Sequence, residues 1–361
     1  MEEIQALITA IQRVSQTDAW RQAVKAWAPI LDTPDVPQQG VFFGYDFHLN
    51  EHGPQLIEIN TNAGGALFNA YLARAQKSCC PPVEQAFTHG SDPESIEQTY
   101  LDMFQQEFQA HHPDQTLKTI AIMDTAPNEQ GMYPEFLLFK HFFESQGIKA
   151  LILDPSEMEL QDGKLYHRET PIDLIYNRLC DFYLETPQHA HLKTAYQTHQ
   201  TVITPHPHAY ARFADKRNLT LLSNPEWLEQ SGIDQEDVKT ILRGVPQTIE
   251  VTPSMSESLW SNRKAYFFKP NTGFGSKAVY RGAKLTKTVF KRILEGGYVA
   301  QQSIPPAPRS IGNDDPKEFK SDIRAYTYAG QLQYLAARLY RGQTTNMRTQ
   351  GGGFAAVFTE Q

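Results

Sequence analysis

The sequence predicts an α/β fold built around a parallel sheet, and three observations lead to this prediction. Short apolar strands alternate with helices between residues 91 and 178, an order that places helices on the faces of a parallel sheet. A hairpin at residues 41–60 carries carboxylate and amide side chains on one face. A glycine-rich turn joins two strands near residue 273. With 361 residues, the chain has room for two or three domains.

Composition favours a globular protein and excludes several other classes. Hydrophobic residues make up 40% and aromatic residues 11% of the chain, and the formal net charge of −8 argues against general nucleic-acid binding. The three cysteines show neither metal-ligand spacing nor a disulfide framework, which favours a reducing compartment. The N-terminus lacks a signal-peptide pattern, and no apolar run is long enough to span a bilayer. We therefore expect a cytoplasmic protein without a nucleic-acid or membrane partner.

The first part of the chain is expected to contain helices and the hairpin. Apolar residues recur at helical spacing over residues 1–30, with one break, and Pro34 and Pro37 end that region. The hairpin of residues 41–60 follows. A further helix, Ala66–Gln76, begins after a pair of glycines.

Strands and helices alternate from residue 91 onward. The predicted order is helix Ser91–His111, strand Thr119–Asp124, helix Tyr133–Gln146, strand Ala150–Asp154, edge strand Leu165–His167 and strand Ile172–Arg178. Gly147 closes the second of these helices, because glycine readily takes the left-handed conformation that ends a helix. This alternation predicts the parallel sheet.

A third unit begins near residue 206. Its predicted helices cover residues 209–222, 235–242 and 286–294, and its predicted strands cover residues 264–269, 278–281, 298–302, 320–329 and 331–340. The expected domains are therefore residues 1–85 with the helices and the hairpin, residues 86–205 with the parallel sheet, and residues 206–361.

The hairpin carries the candidate metal site. Its apolar residues alternate with polar ones, so Asp46, Glu58 and Asn60 share one face. Two carboxylates and an amide oxygen converging on one point suit Mg²⁺, which binds through one or two carboxylates together with substrate phosphates. The alternative is that Asp46 and Asn60 are ordinary strand-edge and turn residues.

The glycine-rich turn is a candidate phosphate site. It contains Gly273, Gly275, Ser276 and Lys277 and follows Lys269, so backbone amides and lysine charges lie close together in sequence. Its spacing matches neither the phosphate-binding loop of NTPases nor the dinucleotide-binding fingerprint. A plain hairpin turn is the alternative.

Two later strands carry charged residues within otherwise apolar sequence. Asp322 and Arg324 fall on one face by alternation, and Arg338 and Arg341 flank a turn. The alternatives are a surface ion pair, which would contribute little to stability, and solvated charge at a loop.

Together these segments resemble the ATP-grasp superfamily of carboxylate–amine ligases, which includes D-alanine–D-alanine ligase, glutathione synthetase and the ribosomal-protein glutamate ligase. The segment Ala214–Leu219, with Lys216, looks like the Asp-Lys helix that opens the ATP-grasp domain. Lys269 and the glycine-rich turn look like its Lys-Pro strand and flexible phosphate lid. Gln301 and Gln302 lie in a segment similar to the hinge strand that contacts adenine, where the family often has Glu.

The later strands resemble the rest of that domain. Asp322 and Arg338 lie in segments similar to the next two strands, and Asn346 with the glycines at 351–353 resembles the Asn…Gly-Gly segment of the glutathione synthetase branch. The hairpin matches the metal-ligand motif, which in the family comes last. The resemblance therefore implies a circular permutation, which disturbs few contacts when the junction is an exposed loop.

The resemblance implies an ADP-forming ligase that makes an amide or peptide bond through an acyl phosphate. ATP and Mg²⁺, or Mn²⁺ in its place, would be the cofactors, and the substrates would be a small carboxylate and an amine, such as an amino acid, a peptide or a polyamine. Arg324 and Arg338 would be the catalytic residues. The expected nucleotide-binding residues are Lys216, Lys269, Gly273, Gly275, Ser276, Lys277, Gln301, Gln302, Asp322 and Asn346. A homodimer is left open.

The segment with the parallel sheet is expected to recognise the carboxylate donor. Tyr176–Arg178 at a strand end and the loop Asp124–Asn128 are the candidates, with ordinary loop polarity as the alternative.

Three other functions remain open from the sequence. The first is ATP-dependent phosphoryl transfer without ligation, on the same fold. The second is a non-catalytic, nucleotide-binding regulatory protein. The third is a metal enzyme that does not use ATP.

Overall fold

The computed structural model describes residues 1–79, 93–275, 277–311, 317–342, 345 and 349–357. The strands are β1 (Phe43–Asn50), β2 (Gly53–Asn60), β3 (Thr119–Met123), β4 (Lys149–Leu153), β5 (Glu159–Gln161), β6 (Lys164–His167), β7 (Thr170–Pro171), β8 (Leu174–Asn177), β9 (Val202–Thr204), β10 (Thr248–Glu250), β11 (Tyr266–Pro270), β12 (Tyr280–Arg281), β13 (Tyr298–Gln302), β14 (Ala307–Ile311), β15 (Lys317–Tyr328), β16 (Gln331–Tyr340) and β17 (Gly353–Ala356). The helices are α1 (Glu2–Ser15), α2 (Asp18–Lys25), α3 (Ala66–Cys79), α4 (Pro93–Gln109), α5 (Tyr133–Ser145), α6 (Ala190–Thr198), α7 (Pro207–Ala209), α8 (Asn218–Leu222), α9 (Pro225–Glu229), α10 (Gln235–Gly244), α11 (Ser256–Asn262) and α12 (Lys287–Leu294).

The largest sheet joins strands from opposite ends of the sequence. Its order is β17-β16-β15-β1-β2, with antiparallel neighbours, and β14 also pairs with β15. Asp46 of β1 lies opposite Arg324 of β15, 278 residues further along the chain. The predicted hairpin is confirmed, and it packs beside the strands of Arg324 and Arg338.

The predicted parallel sheet is also confirmed, with the order β4-β3-β8-β9. Helices α4 and α5 cover one face through an aromatic cluster that includes Phe104, Phe139 and Tyr176. Helix α6 covers the other face, where Leu192 packs near Ile175. Strand β9 was not among the predicted elements, because three residues are too few for a periodic pattern.

A second antiparallel sheet has the order β10-β13-β11-β12. Helices α11 and α12 pack on it through Leu259 and Phe290, which form a small separate core. In this sheet Gln301 of β13 lies opposite Phe267 of β11, and Lys269 lies opposite Val299. The sheet therefore brings the predicted hinge strand beside the predicted Lys-Pro strand.

The N-terminal helices belong to a core rather than to the periphery. Apolar residues of α1 and α2, such as Ile8 and Trp20, are buried with residues of α10 and β1. The side chain of Gln5 also bridges the β15–β16 turn, donating to the carbonyl oxygen of Gly330 at 2.8 Å and accepting from the amide of Leu332 at 2.7 Å. Helix α1 therefore fixes the far end of the long hairpin β15–β16.

Three predicted elements differ from the structure. The edge strand predicted at Leu165–His167 lies outside the parallel sheet, in a small antiparallel sheet of order β5-β6-β7. The helix predicted over residues 209–222 is broken, since a π-helical turn at Tyr210–Ala214 ends at Asp215, whose buried carboxylate pairs with Arg217 at 2.6 Å. The strand predicted over residues 278–281 shrinks to Tyr280–Arg281, because Ala278 has a left-handed φ of 56°. Over the described residues, the protein has no helix with the length and apolarity that crossing a membrane requires.

Candidate functional site

A cleft of about 610 Å³ lies where the three larger sheets meet. Strands β1 and β2 supply its floor, β11 and β13 supply one wall, and the loops after β3 and β8 supply the opposite end. The side chains of β15 and β16 that reach the cleft are those of Arg324, Arg338 and Tyr340. The cleft thus draws on residues from all three predicted domains.

The hairpin brings its three polar residues together. Asp46 and Glu58 lie opposite each other in the β1–β2 register, and Asn60 follows on the same face of β2. The amide nitrogen of Asn60 donates to Asp46 at 3.2 Å and to Glu58 at 3.4 Å. All three side chains line the cleft, so their predicted convergence is confirmed.

Asp46 also anchors two arginines. Arg324 donates from Nε and Nη2 to the two oxygens of Asp46, both at 2.7 Å, and Nη2 of Arg338 lies 2.8 Å from Oδ2 of Asp46. Burial alone would raise the pKa of Asp46, but the two guanidinium groups hold it below the ordinary value. We call Arg324 and Arg338 the guanidinium pair.

The guanidinium pair extends into a buried network. Nε of Arg338 donates to Asp322 at 2.6 Å, and the hydroxyl of Thr345 donates to the other oxygen of Asp322 at 2.5 Å. Asp322 and Arg338 are both buried, which excludes solvated surface charge for them. Within the described residues, Nη1 of each guanidinium has no hydrogen bond, so each retains donors for an anion in the cleft.

The fit of a magnesium ion depends on which of the hairpin oxygens are free. The Glu58 side chain is 30% exposed at the cleft, and Asn60 uses its amide nitrogen on the neighbouring carboxylates, which leaves its carbonyl oxygen for a cation. These two residues fit Mg²⁺. Asp46 does not fit while both of its oxygens hold arginines, and its role as a ligand stays a prediction. Among the described residues, no group of three or more His, Cys, Asp or Glu side chains is placed to hold a metal.

Lys269 is a buried cation at the wall of the cleft. Its Nζ donates to the carbonyl oxygen of Ile57 at 2.7 Å and to Oε1 of Gln301 at 2.6 Å. Burial is the main cause that lowers the pKa of Lys269 to about 8; the charge of Glu58 opposes the shift, and that of Lys216 adds to it. A desolvated ammonium group of this kind favours a ligand with negative charge.

Lys216 connects the glycine-rich turn to the hairpin. Its Nζ donates to the carbonyl oxygen of Gly273 at 3.2 Å and lies 3.9 Å from Glu58. Beyond Gly273, the ring of Phe274 rests 6.2 Å from Phe182, which follows β8 and stacks on Tyr210. The turn therefore leans across the cleft toward the parallel sheet.

The other predicted nucleotide-binding residues divide into three groups. Gly275, Gln301 and Gln302 line the cleft. Lys277 does not line it, and its Nζ lies 4.5 Å from the centre of the Phe274 ring. Ser276 and Asn346 lie outside the described residues.

Sequence reasoning missed His48 and the α5 side of the cleft. His48 lines the cleft, and its Nδ1 lies 2.8 Å from the carbonyl oxygen of Ile304, while burial lowers its pKa. His48 lies two residues after Asp46 in β1, so strand alternation already placed it on the same face as Asp46. Met132 and Phe136 also line the cleft. Their apolar side chains could not be told from core residues by sequence, because the cleft is formed by other parts of the chain.

Two solved structures are similar to almost the whole chain. A glutathione synthetase-like effector from Globodera pallida, in its apo form, has a TM-score of 0.60 at 13% identity, covering 98% of this chain and 85% of that one. A putative gamma-glutamylcysteine synthetase from Methylobacillus flagellatus has a TM-score of 0.51 at 11% identity, covering 96% and 84%. A looser similarity, to the ATP-grasp ligase PsnB with a minimal precursor, has a TM-score of 0.36 at 9% identity and covers 66% and 88%.

No protein-family model matches the sequence, and no curated protein matches it. At the identities above, the structural similarities establish the fold and confirm the predicted mixed architecture of helices and sheets.

Proposed function

We propose that this chain, which has the ATP-grasp fold of glutathione synthetase-like proteins, is a ligase that joins a carboxylate to an amine and converts ATP to ADP. The observation that carries the proposal is the arrangement of the cleft. A buried lysine tied to a strand glutamine lies at one wall, and the guanidinium pair lies on the floor beside a partly exposed glutamate.

The nucleotide occupies the wall formed by β11 and β13. Ile57, Phe267, Val279 and Ile304 supply apolar surface there for a base, next to Gln301 and Gln302. Lys269 and Lys216 place two positive charges near the glycine-rich turn, where the phosphates of ATP would lie. The turn at Gly273–Gly275 then closes over them and limits the access of water.

Glu58 and Asn60 would be the residues of the hairpin that hold Mg²⁺. When bound, the ion neutralises charge on the phosphate oxygens and orients them. Asp46 keeps the guanidinium pair in place on the same floor.

The reaction proceeds in two steps. An oxygen of the substrate carboxylate attacks the γ-phosphorus of ATP, the bond to the bridging oxygen breaks, and an acyl phosphate and ADP result. The free Nη1 groups of Arg324 and Arg338 bind the carboxylate and stabilise charge in the transition state. The amine nitrogen then attacks the acyl carbon, phosphate leaves with the electron pair, and the nitrogen loses a proton.

The test is a product analysis with purified protein, Mg²⁺ and ATP. Amino acids, dipeptides and polyamines are supplied singly and in pairs, and phosphate, ADP and condensed product are measured. The proposal requires ADP, phosphate and amide in equal amounts, only when acid and amine are both present. A phosphorylated product without an amine would establish phosphoryl transfer, and nucleotide binding without any product would establish a regulatory protein.

A further inference from the structure

The part of the chain that forms the nucleotide wall is strongly basic, although the protein as a whole is acidic. Residues 251–302 contain nine Lys or Arg and two Asp or Glu, whereas the formal net charge of the chain is −8. Mg-ATP is itself an anion, so the field of the whole protein would repel it. Positive charge close to the cleft would therefore decide how fast a nucleotide enters.

The floor of the cleft contributes little net positive charge. The guanidinium pair lies against Asp46 and Asp322, and Nζ of Lys216 lies 3.9 Å from Glu58. The fourth cation, Lys269, is buried at the wall. The three carboxylates offset most of the charge of these four cations, so the floor alone attracts an approaching anion only weakly.

Three further cations lie at the rim of the cleft, beside residues that line it. Arg281 of β12 lies opposite Phe267, and Lys320 of β15 lies opposite Tyr340. Opposite residues of antiparallel strands share one face of a sheet, and both Phe267 and Tyr340 line the cleft. Arg281 and Lys320 are therefore on the cleft faces of two different sheets. Lys284 ends the short 3₁₀ turn that follows β12. We call Arg281, Lys284 and Lys320 the rim cations.

The rim cations act on one another and lack counter-ions. Partial burial and the charges of Arg281 and Lys284 lower the pKa of Lys320. Nζ of Lys320 donates to the carbonyl oxygen of Gly342, and none of the rim cations forms an ion pair with any described residue. Arg281 and Lys284 are exposed to solvent. Like charges gathered in this way repel one another until an anion approaches them.

We infer that the rim cations form an entry site, which attracts the phosphates of Mg-ATP and guides the nucleotide toward Lys216 and Lys269. The inference rests on the proposed function, because it concerns the route by which the nucleotide reaches the same cleft. Steering of this kind raises association rates by about 10- to 1,000-fold and weakens steeply with ionic strength. Charges at the rim of a site change association more than dissociation, since the bound ligand is held by other groups.

The salt dependence of association tests the entry site in the wild-type protein. Binding of fluorescently labelled ATP with Mg²⁺ is followed by stopped flow, without acid or amine, between about 10 mM and about 1 M salt, where the Debye length falls from about 30 to about 3 Å. A net-negative protein without an entry site should bind ATP faster as salt screens the repulsion. We expect the opposite, a fall of at least about tenfold in the association rate. Labelled adenosine, which has no phosphate, should associate at a rate that salt does not change.

A rim variant removes the three charges together, by the substitutions Arg281→Gln, Lys284→Gln and Lys320→Gln. At low salt it should lower the association rate of ATP by at least about tenfold and change the dissociation rate by less than about twofold. The association rate of adenosine should stay as in the wild type. Lys284→Glu, which reverses one exposed charge, provides a second measurement and should lower the association rate of ATP more than Lys284→Gln does.

A control variant has the same change in net charge, by the substitutions Lys118→Gln, Arg168→Gln and Lys239→Gln. All three residues are exposed and lie outside the cleft. Lys118 precedes β3 and is therefore at the edge of the parallel sheet opposite to the loops that reach the cleft. The control variant should keep the association rate of ATP within about twofold of the wild type, because these charges act on the nucleotide only through the screened field of the whole protein.

Specific outcomes overturn the inference. An association rate of ATP that rises with salt in the wild-type protein excludes the entry site whether or not the variants fold. Equal losses in the rim and control variants, or an equal loss with adenosine, also exclude it. If ATP binds and the rim variant associates as fast as the wild type, the proposed function stands and the entry site does not. If the wild-type protein binds no nucleotide, the proposed function fails and the entry site fails with it.

Discussion

Lys269 shows how a single residue can be unfavourable for folding and favourable for binding. Its ammonium group is buried, with a carbonyl and an amide oxygen as its hydrogen-bond partners, and its pKa is lowered to about 8. A phosphate group beside it would stabilise the charged form and raise that pKa again. Nucleotide binding should therefore be linked to protonation of Lys269.

This linkage predicts a pH dependence of ATP binding. Below about pH 8, Lys269 is protonated in the free and the bound protein, so affinity should be nearly constant. Above that pH, binding must take up a proton, and affinity should fall by up to about tenfold per pH unit. Calorimetry between pH 7 and 9.5, in buffers of different ionisation enthalpy, measures the affinity and the proton uptake.

Two lysine variants provide the comparison. Lys269→Gln should bind ATP weakly and lose the dependence above pH 8, because it has no proton to take up. Lys287→Gln, which changes an exposed lysine of α12, should behave as the wild type. A flat profile in the wild-type protein would show that the phosphates do not contact Lys269.

We expect removal of the Asp46 charge to lower the unfolding free energy more than removal of any other single charge. Asp46→Asn leaves two buried guanidinium groups without their shared anion, and unfolding free energy should fall by about 3–5 kcal/mol. Asp32→Asn, which breaks an exposed pair with Lys25, should cost less than about 1 kcal/mol. Urea denaturation measures both.

The effect of Asp46→Asn should also depend on pH. The pKa of Asp46 is lowered by folding, so its contribution is complete above the ordinary carboxyl pKa and is lost as the pH falls toward the folded value. The difference between variant and wild type should therefore shrink below about pH 4. A constant difference would mean that its charge is not the cause.

At the scale of elements, alternation predicted the local patterns, whereas only the family resemblance, through its permuted motif order, predicted that the hairpin lies beside the distant strand of Arg338. Alternation along β1 and β2 correctly placed Asp46, Glu58 and Asn60 on one face, because strand periodicity is a local property. The partner of Asp46 could not be derived this way, since Arg324 is 278 residues away. The break before Lys216 was also missed, because a buried Asp215 that stops a helix has no periodic signature.

The turn after β2 offers a test of close packing between elements. Gly65 has a φ of +97°, and a Cβ atom there would lie 2.3 Å from the Phe354 ring of β17. Gly65→Ala should therefore destabilise the protein by strain and by displacing β17. Gly147→Ala, with φ +76° and no atom within 4 Å of a Cβ, adds strain alone and should cost about 1 kcal/mol.

The difference between the two glycine variants is the informative quantity. Overpacking typically costs about 1–3 kcal/mol beyond strain, so Gly65→Ala should unfold at clearly lower urea concentration than Gly147→Ala. Equal midpoints would show that Phe354 moves aside freely and that β17 is loosely held.

At the scale of the whole molecule, the cleft exists only when distant parts of the chain are combined. Strand β1 is an interior strand of the largest sheet, between β2 and β15, and β15 pairs with β16 on its other side. A fragment starting at residue 93 would leave residues 323–327 of β15 without a strand on one side, with Arg324 facing no Asp46. The proposed permutation agrees with this arrangement, because the hairpin completes the sheet from the other end of the sequence.

Fragment complementation tests this dependence. The fragment of residues 93–361 should not bind ATP and should expose apolar surface to a fluorescent dye. Adding the fragment of residues 1–92 should restore ATP binding and reduce the dye signal. The same mixture with Asp46→Asn in the short fragment should recover much less. If the long fragment bound ATP unaided, the hairpin would not be part of the nucleotide site.

The pairing of β1 with β15 has a consequence for how the protein is made in the cell. The ribosome must add 278 residues between Asp46 and Arg324, which at about 5–20 residues per second takes on the order of tens of seconds. Throughout that interval the nascent hairpin emerges with its carboxylates and without its sheet neighbour. Chaperones that shield exposed strand edges on ribosomes should therefore influence the yield of this protein more than that of a chain whose central strands are adjacent in sequence.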